Sequence, residues 1–495
     1  MNRAFPRLCA VAALSLSLGA CINLAPDYER PELPAPHAWP EGPSYRDSAS
    51  AHPGETPIAD LGWRDFIADE SLRQVIEIAL ENNRDLRIAT LNIEKTRAMY
   101  QIQRAQLFPH VDLQGSGTHL RTPASLSTTG EMTISHAYAA NIGVSSYEAD
   151  LFGSLRNQSE AAQEQFLASE EARRTAQISL VAQVANTWLL LAADRERLQL
   201  AQATFKSQQD SYRLMKQSFD LGTASALDLR QVQTSVEAAR VDVANFQSQV
   251  AMDQNALDLL VGAPLPPELR AGESLQAVTA LSELTADIPS EVLRRRPDIL
   301  SAEHLLKGAN ANIGAARANF FPRIFLTGNA GAASAALSQL FKAGAGAWSF
   351  IPAITMPLFD AGANTARLEA ARADEKIAVA NYEKAIQIAF REVADALADY
   401  GTIDERLAAQ RSLEEATSES YRLTEARFRA GADSYFNVLV MQRAMYNAQQ
   451  TLIGARLAKE SNLIMLYKVL GGGWQEYSTT PEELAARQAG EEGAP

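Results

Sequence analysis

Residues 212–225 read YRLMKQSFDLGTAS, and 209 positions later residues 421–434 read YRLTEARFRAGADS. Tyr212-Arg213-Leu214, Phe219, Gly222 and Ser225 recur as Tyr421-Arg422-Leu423, Phe428, Gly431 and Ser434. The match extends without a gap from Glu160–Gly262 onto Glu369–Gly471. A second block, Arg84–Gly117, matches Pro297–Ala330 at an offset of 213, pairing Phe108-Pro109 with Phe321-Pro322. One register held this long marks a duplicated half-protein rather than a short solenoid repeat.

Each half follows one plan. A helix rich in Ala, Leu and charges (about 84–107 and 297–319) stops at Phe-Pro, because proline ends a helix and restricts the residue before it. A glycine-dotted strand follows: Val111, Leu113 and Gly115 alternate with Asp112, Gln114 and Ser116, and Ile324, Leu326 and Gly328 with Phe325, Thr327 and Asn329. A turn rich in small residues leads to a second strand carrying Tyr138, Ala140, Ile142 and Val144 in one half and Trp348, Phe350, Ile354 and Met356 in the other. Counted from Leu151-Phe152-Gly153 and Leu358-Phe359-Asp360, these two strands disagree in apolar phase by one residue, so their lipid-facing side stays open.

Very long helices come next. No proline falls between Pro123 and Pro264, or between Pro357 and Pro481. Ser154 to about Leu221 is uninterrupted, and some sixty residues make a rod of roughly 100 Å. Gly222 ends it and Ala226 to Leu260 returns. Asn364 to Ala430, Gly431 and Tyr435 to Leu470 repeat the hairpin, with Gly401 a candidate bend. Ala, Gln, Ser and Glu dominate, and the large apolar residues form only a thin stripe. Such helices suit a sheet of helices with water on one side, as in a pore wall, better than a globular core.

The chain has 495 residues, a net charge of −14 and 46% hydrophobic residues. That acidity argues against nucleic acid as a partner. Arg3, Arg7 and the apolar run Leu8–Gly19 form a secretory signal. Its end, Leu18-Gly19-Ala20-Cys21, resembles a bacterial lipobox, in which Cys21 becomes the lipidated N-terminus and Ile22 favours outer-membrane sorting. Ordinary cleavage beside an incidental cysteine is the alternative. Cys9 leaves with the signal, so a mature chain holds no internal disulfide. Beyond the signal no run of 18 apolar residues appears, and a membrane crossing would have to be a β-barrel. Four strands cannot close one, since about eight are needed. Two, three or four copies would close, and three give twelve strands.

Little here points to catalysis. Among the six histidines, His37, His52, His110, His119, His136 and His304, none forms a close ligand motif, and neither a Walker loop nor a GxSxG elbow is present. The expectation is no enzyme, no metal and no cofactor beyond a covalent lipid. Arg294-Arg295-Arg296 reads as a salt-bridged or solvated cluster at a helix start. Tyr138, Tyr147, Trp348 and Phe350 are candidates for an aromatic girdle.

Several motifs in this order resemble the TolC-like outer-membrane efflux proteins, most closely their lipidated OprM-like branch. They are the lipobox at Cys21 and the following APDYERP (25–31), then RRPDI (295–299), GAAR (314–317) with FFP (320–322), WSF (348–350) leading to PLFDAG (357–362), and the tips LGTAS (221–225) and AGADS (430–434). The resemblance covers the mature chain. It implies an α+β fold: a trimeric 12-stranded transmembrane β-barrel, four strands per chain, continued by a long α-helical periplasmic barrel with an equatorial mixed region. The boundaries drawn are a signal peptide at 1–20, a lipidated proline-rich segment at 21–70, repeats at 71–262 and 291–471, and equatorial segments at 263–290 and 472–495. The implied function is the exit duct of a tripartite drug efflux system in the outer membrane of a Gram-negative bacterium, with a periplasmic membrane-fusion adaptor and an inner-membrane pump of the resistance-nodulation-division (RND) class. Type I protein secretion is the alternative. By resemblance, Gly222 and Gly431 lie at tips that meet the adaptor, and Ser225 and Ser434 are placed to cap the returning helices. Asp228 matches a family gating aspartate, while Phe428, Asn437 and Val440 depart from the gate pattern, so closure here is expected to rely on apolar packing of Phe428 and Val440.

Overall fold

The computed structural model describes residues 22–36, 38–45, 60–128, 130–269, 275, 277–279 and 290–478. The principal elements are α1 (Glu70–Asn82), α2 (Arg84–Ala105), β1 (Val111–Thr122), β2 (Thr133–Ala149), α3 (Ser154–Asp220), α4 (Ala226–Val261), α5 (Pro297–Ala318), β3 (Arg323–Ser334), β4 (Gly346–Thr355), α6 (Ala363–Arg429) and α7 (Tyr435–Val469). Two compact units divide them. One holds residues 1–32, 92–170 and 301–383, and the other 33–91, 171–300 and 384–495. Each draws on both halves of the duplicated chain.

The first unit contains the sheet, which is antiparallel in the order β1-β2-β3-β4. Its register places Leu113 opposite Ile142, Ile142 opposite Ala330, and Ala330 opposite Trp348. Because side chains alternate across a strand, partners in register share a face. One face therefore carries Val111, Leu113, Ile142, Val144, Leu326, Trp348, Phe350 and Ile354. The other carries Asp112, Gln114, Ser116, Asn141, Thr327, Asn329 and Ser349, with Leu120, Phe325 and Ile351 as large apolar exceptions. A shallow hollow of about 180 Å³ on this second face is lined by Asp112, Gln114, Asn141, Ser145, Thr327 and Asn329. Gly143 and Gly331 also lie on this face, and a Cβ built on them would lie 2.3 Å and 2.1 Å, respectively, from a carbonyl oxygen of the neighbouring strand. Such crowding belongs on the concave side of a curled sheet, so the sheet curls toward its polar face.

The phase conflict in the sequence has a structural cause. β2 is 17 residues long, and its pairing with β3 jumps from Val144↔Gly328 to Tyr147↔Leu326. Three steps on β2 thus face two on β3. This β-bulge inserts one residue and flips the phase. Tyr147 and Ala149 beyond it rejoin the face of Val144 and Ile142.

The chain from Ile22 packs along α5. Arg317 donates to the Leu24 carbonyl at 2.9 Å and Asn310 to that of Pro26 at 2.8 Å. Gly314 lets this segment lie close, since a Cβ there would fall 2.7 Å from the Ala25 nitrogen. Tyr28 and Arg30 then donate to Glu303. Burial opposes the charge on Glu303, yet Arg30 and Lys307 hold its carboxyl below the ordinary range.

In the second unit α1 was not anticipated. Asp69 accepts from the Leu72 amide as an N-cap, and Leu72, Val75, Ile76 and Ala79 are buried. Trp63, Phe66 and Ile67 are also buried, and Phe66 stacks on Tyr467 at 3.9 Å. All three segments outside the repeats meet here. Ile67 bridges Thr279, the Ala68 amide donates to the Val278 carbonyl, and the Trp63 amide to that of Gln475. Arg296 is buried, ion-pairs with Asp298 (2.7 Å) and Glu392 (2.8 Å), and donates to the Val469 carbonyl. That is the salt-bridged reading for Arg296, the last of the three arginines. α3 includes one stretch apolar and long enough to cross a membrane, but most of it is buried within the protein, including Val184, Leu189 and Leu191. Gly401 lies inside an unbroken α6.

Candidate functional site: the hairpin tips

Both hairpins turn through one glycine. Gly222 has φ +75° and Gly431 φ +73°, the left-handed conformation that side chains resist, and nothing lies within 4 Å of a Cβ built on either. The Gly222 amide donates to the Phe219 carbonyl and the Thr223 amide to that of Ser218; Gly431 to Phe428 and Ala432 to Arg427 repeat this. These bonds satisfy carbonyls that the helix ends leave open.

The returning helices start differently. Ser225 caps α4 in a full capping box: its Oγ accepts from the Asp228 amide at 3.1 Å, and Asp228 Oδ2 accepts from the Ser225 amide at 3.1 Å. Ser434 makes no side-chain cap bond to α7, contrary to expectation. The reason is Asp433, which takes over the turn. Its Oδ1 accepts from the Ser434 amide (2.9 Å) and Asn437 Nδ2 (2.6 Å), and its Oδ2 from Arg427 Nε (3.3 Å). Asn437, then the Ser434 amide, hold the Asp433 carboxyl below its ordinary pKa. An acid directly before a serine at a helix start was the overlooked signal.

Behind the glycines the two hairpins share a small core. Met215, Val232 and Leu439 are buried, with Tyr212, Leu229 and Tyr435 packed on them. Gln208 donates to Gln442 at 2.8 Å, both buried. Phe428 meets the Tyr435 ring edge-on at 5.0 Å. Burial raises the Tyr435 hydroxyl above its usual pKa, partly offset by a hydrogen bond with Ser211. Of the four gate candidates, Phe428 thus packs within the tip and Asp228 is bound into the cap. Asn437 and Val440 lie on the exposed stripe of α7 with Phe436 and Arg443, and Val440 is 41% exposed.

The four aromatic candidates lie on the apolar sheet face but at different heights. Tyr138 pairs with Ser334 and Tyr147 with Leu326, eight β3 residues apart, or roughly 26 Å at strand rise. Trp348 and Phe350 fall between them and are 80% and 61% exposed. Tyr147 donates to the Leu107 carbonyl. Cys21 lies outside the described residues. No group of three or more His, Cys, Asp or Glu side chains suited to a metal occurs among the described residues.

A family model described as outer membrane efflux protein matches this chain twice, over residues 75–263 and 288–472. The antibiotic efflux pump outer membrane protein ArpC of Pseudomonas putida is 47% identical over 479 residues, which cover 97% of this chain and 98% of ArpC. The toluene efflux pump outer membrane protein TtgC, also of Pseudomonas putida, matches to the same extent. Among solved structures, the open state of the Neisseria gonorrhoeae MtrE outer membrane channel superposes with a TM-score of 0.83 at 36% identity, over 92% of this chain and 100% of MtrE.

Proposed function

The chain belongs to the outer membrane efflux protein family, and from that premise we propose that three copies form the exit duct of a tripartite pump. It is an outer-membrane component of an efflux system. The duct passes small toxic compounds, apolar ones among them as the relatives' names suggest, from an inner-membrane RND-type pump and a periplasmic adaptor to the outside. It carries out no catalysis and needs no cofactor. Acyl chains on Cys21 add an anchor, since one chain alone holds a protein only marginally.

The carrying observation is the sheet. One face is apolar and exposed, the other polar and concave, and among the described residues β1 and β4 each have one edge without a partner strand. In lipid an open edge costs several kcal/mol per unpaired group, so further copies must complete it. A curled sheet with its polar face inside surrounds water. At the tips, Gly222 and Gly431 present open surface suited to a helical adaptor hairpin.

Two measurements test this. Purified protein in planar bilayers should conduct as stable single channels; a folded protein without conductance would overturn the duct. In cells, Gly222→Trp with Gly431→Trp should abolish drug resistance while the oligomer still forms. Unchanged resistance would reject the adaptor contact. A type I secretion role would show instead as lost export of a protein with drug resistance intact.

A further inference from the structure

His119 on β1 and His136 on β2 are direct partners in register. Their Nδ1 atoms lie 2.6 Å apart, with ring centroids at 4.7 Å and planes at 71°. Tyr138 approaches from the same strand face, its hydroxyl 3.4 Å from His119 Nε2 and its ring edge-on to His119 at 5.5 Å. Both imidazoles are exposed. Tyr138 is the further partner of this pair among the described residues, and neither ring serves the sheet's polar lining. We infer that this cross-strand pair is a binding site for a divalent transition metal of the copper–nickel type.

The chemistry is that of two neutral imidazoles converging on one point. At 2.6 Å one Nδ1 carries a proton and the other accepts it. A metal ion takes the place of that proton: the proton leaves Nδ1 and its ring takes one up on Nε2 from solvent, so both rings stay neutral and both Nδ1 lone pairs bind the metal. Imidazole nitrogen sits about 2.0–2.1 Å from such metals. Two ligands at right angles are then about 2.9 Å apart, and two tetrahedral ligands about 3.3 Å. The observed spacing lies nearer the first, so a few tenths of an ångström of separation, with the two rings turned until both lone pairs meet at the ion, gives the cis arrangement of a square-planar ion. That geometry, with nitrogen ligands, favours Cu²⁺ and Ni²⁺ over Zn²⁺, and the ordinary order of affinities puts Cu²⁺ first. Water completes the coordination, with Tyr138 beside it.

The position fixes access. Going away from Tyr147, the pair lies beyond Tyr138 toward the Thr122–Thr133 turn, on the face that carries Ile142 and Trp348. A bound metal therefore staples the β1–β2 hairpin from outside the concave polar face, and loading it leaves the polar lining unobstructed.

The test uses the full-length protein without a histidine tag, titrated with Cu²⁺ and followed by calorimetry and electron paramagnetic resonance. The expected result is one Cu²⁺ per chain with hyperfine splitting from two nitrogens. His119→Gln and His136→Gln should each weaken binding at least about tenfold and leave a one-nitrogen spectrum, whereas His110→Gln changes neither. Both positions are exposed, and elution as the same oligomer confirms folding. Equal Cu²⁺ binding by the double variant His119→Gln/His136→Gln, or a single-nitrogen spectrum in the unmodified protein, would overturn the assignment.

Discussion

At the scale of single residues the energetics concentrate in a few buried polar groups. Asp194 and Asp253 are 3% and 4% exposed, and Asp253 accepts from Gln249 Nε2 at 2.9 Å. Burial first, then the neighbouring Asp194 carboxyl, pushes the Asp253 carboxyl up to about 6 from 3.8. Between those values the folded chain holds a proton that the unfolded chain has released. Stability therefore falls as pH rises through this window, and the penalty persists above it. Asparagine at 253 keeps a donor toward Asp194 and removes the charge. Asp253→Asn should raise the melting temperature at pH 7.5, and the gain should shrink toward zero near pH 4. An equal gain at both pH values would show that ionisation is not the cause. None of this was legible in the sequence, where Asp253 is one acid among many on a polar helix. Gly314 and Arg317 stood out as motif residues, but their purpose, accepting and holding the segment after Ile22, needed the packing of α5.

At the scale of elements the sequence read well wherever a local rule acts alone. The four long helices end within one or two residues of the expected positions, because the tip glycines and the absence of proline decide them without tertiary help. α1 was missed although its apolar spacing was present, because it lies before Arg84, where the repeat becomes plain in the sequence. The bulge at Ser145 and Ser146 was invisible because two serines carry no local signal. At the tips, Ser225→Ala should cost about 1 kcal/mol of local stability, while Ser434→Ala should cost little and Asp433→Ala more. Amide exchange in the first turns of α4 and α7 reads this directly, and equal loss at both serines would contradict the asymmetry. Val440 belongs to the same scale. The proposed gate has Asp228 tied to Ser225, Asn437 uncharged and Val440 exposed, so few free carboxylates converge to bind a cation. Cobalt complexes should block the channel weakly, and Val440→Asp should strengthen both block and cation selectivity. Strong block of the unmodified protein, or no change on substitution, would reject that account.

At the scale of the whole molecule the duplication specifies how copies should join. Within one chain β2 of the first half pairs with β3 of the second, Tyr147 opposite Leu326. Phe152 at the end of β2 stacks on Phe321 at 4.7 Å and 23°. The repeat counterparts of these residues are Ile354, Leu113, Phe359 and Phe108. No such contact forms inside the chain: Ile354 is 71% exposed, Leu113 82%, Phe359 89% and Phe108 62%. A ring of copies supplies it, with β4 of one chain beside β1 of the next in the register that the repeat dictates. Ile354 then faces the partner subunit's Leu113, and Phe359 stacks on the partner subunit's Phe108. Cβ atoms of directly opposed residues lie about 4.5–5.5 Å apart, close enough for a disulfide after slight adjustment. The double variant Ile354→Cys/Leu113→Cys should therefore give a covalently linked trimer under mild oxidation, and either substitution alone should not. Ile354→Cys/Asp112→Cys places the thiols on opposite faces and should link poorly. Phe359→Ala should lower the temperature at which the oligomer dissociates, since each aromatic contact adds about 0.5–1.5 kcal/mol beyond its buried area and a trimer repeats it at every seam. Efficient linkage through Asp112, or linked dimers and tetramers in place of trimers, would mean that the seam does not copy the internal β2–β3 join.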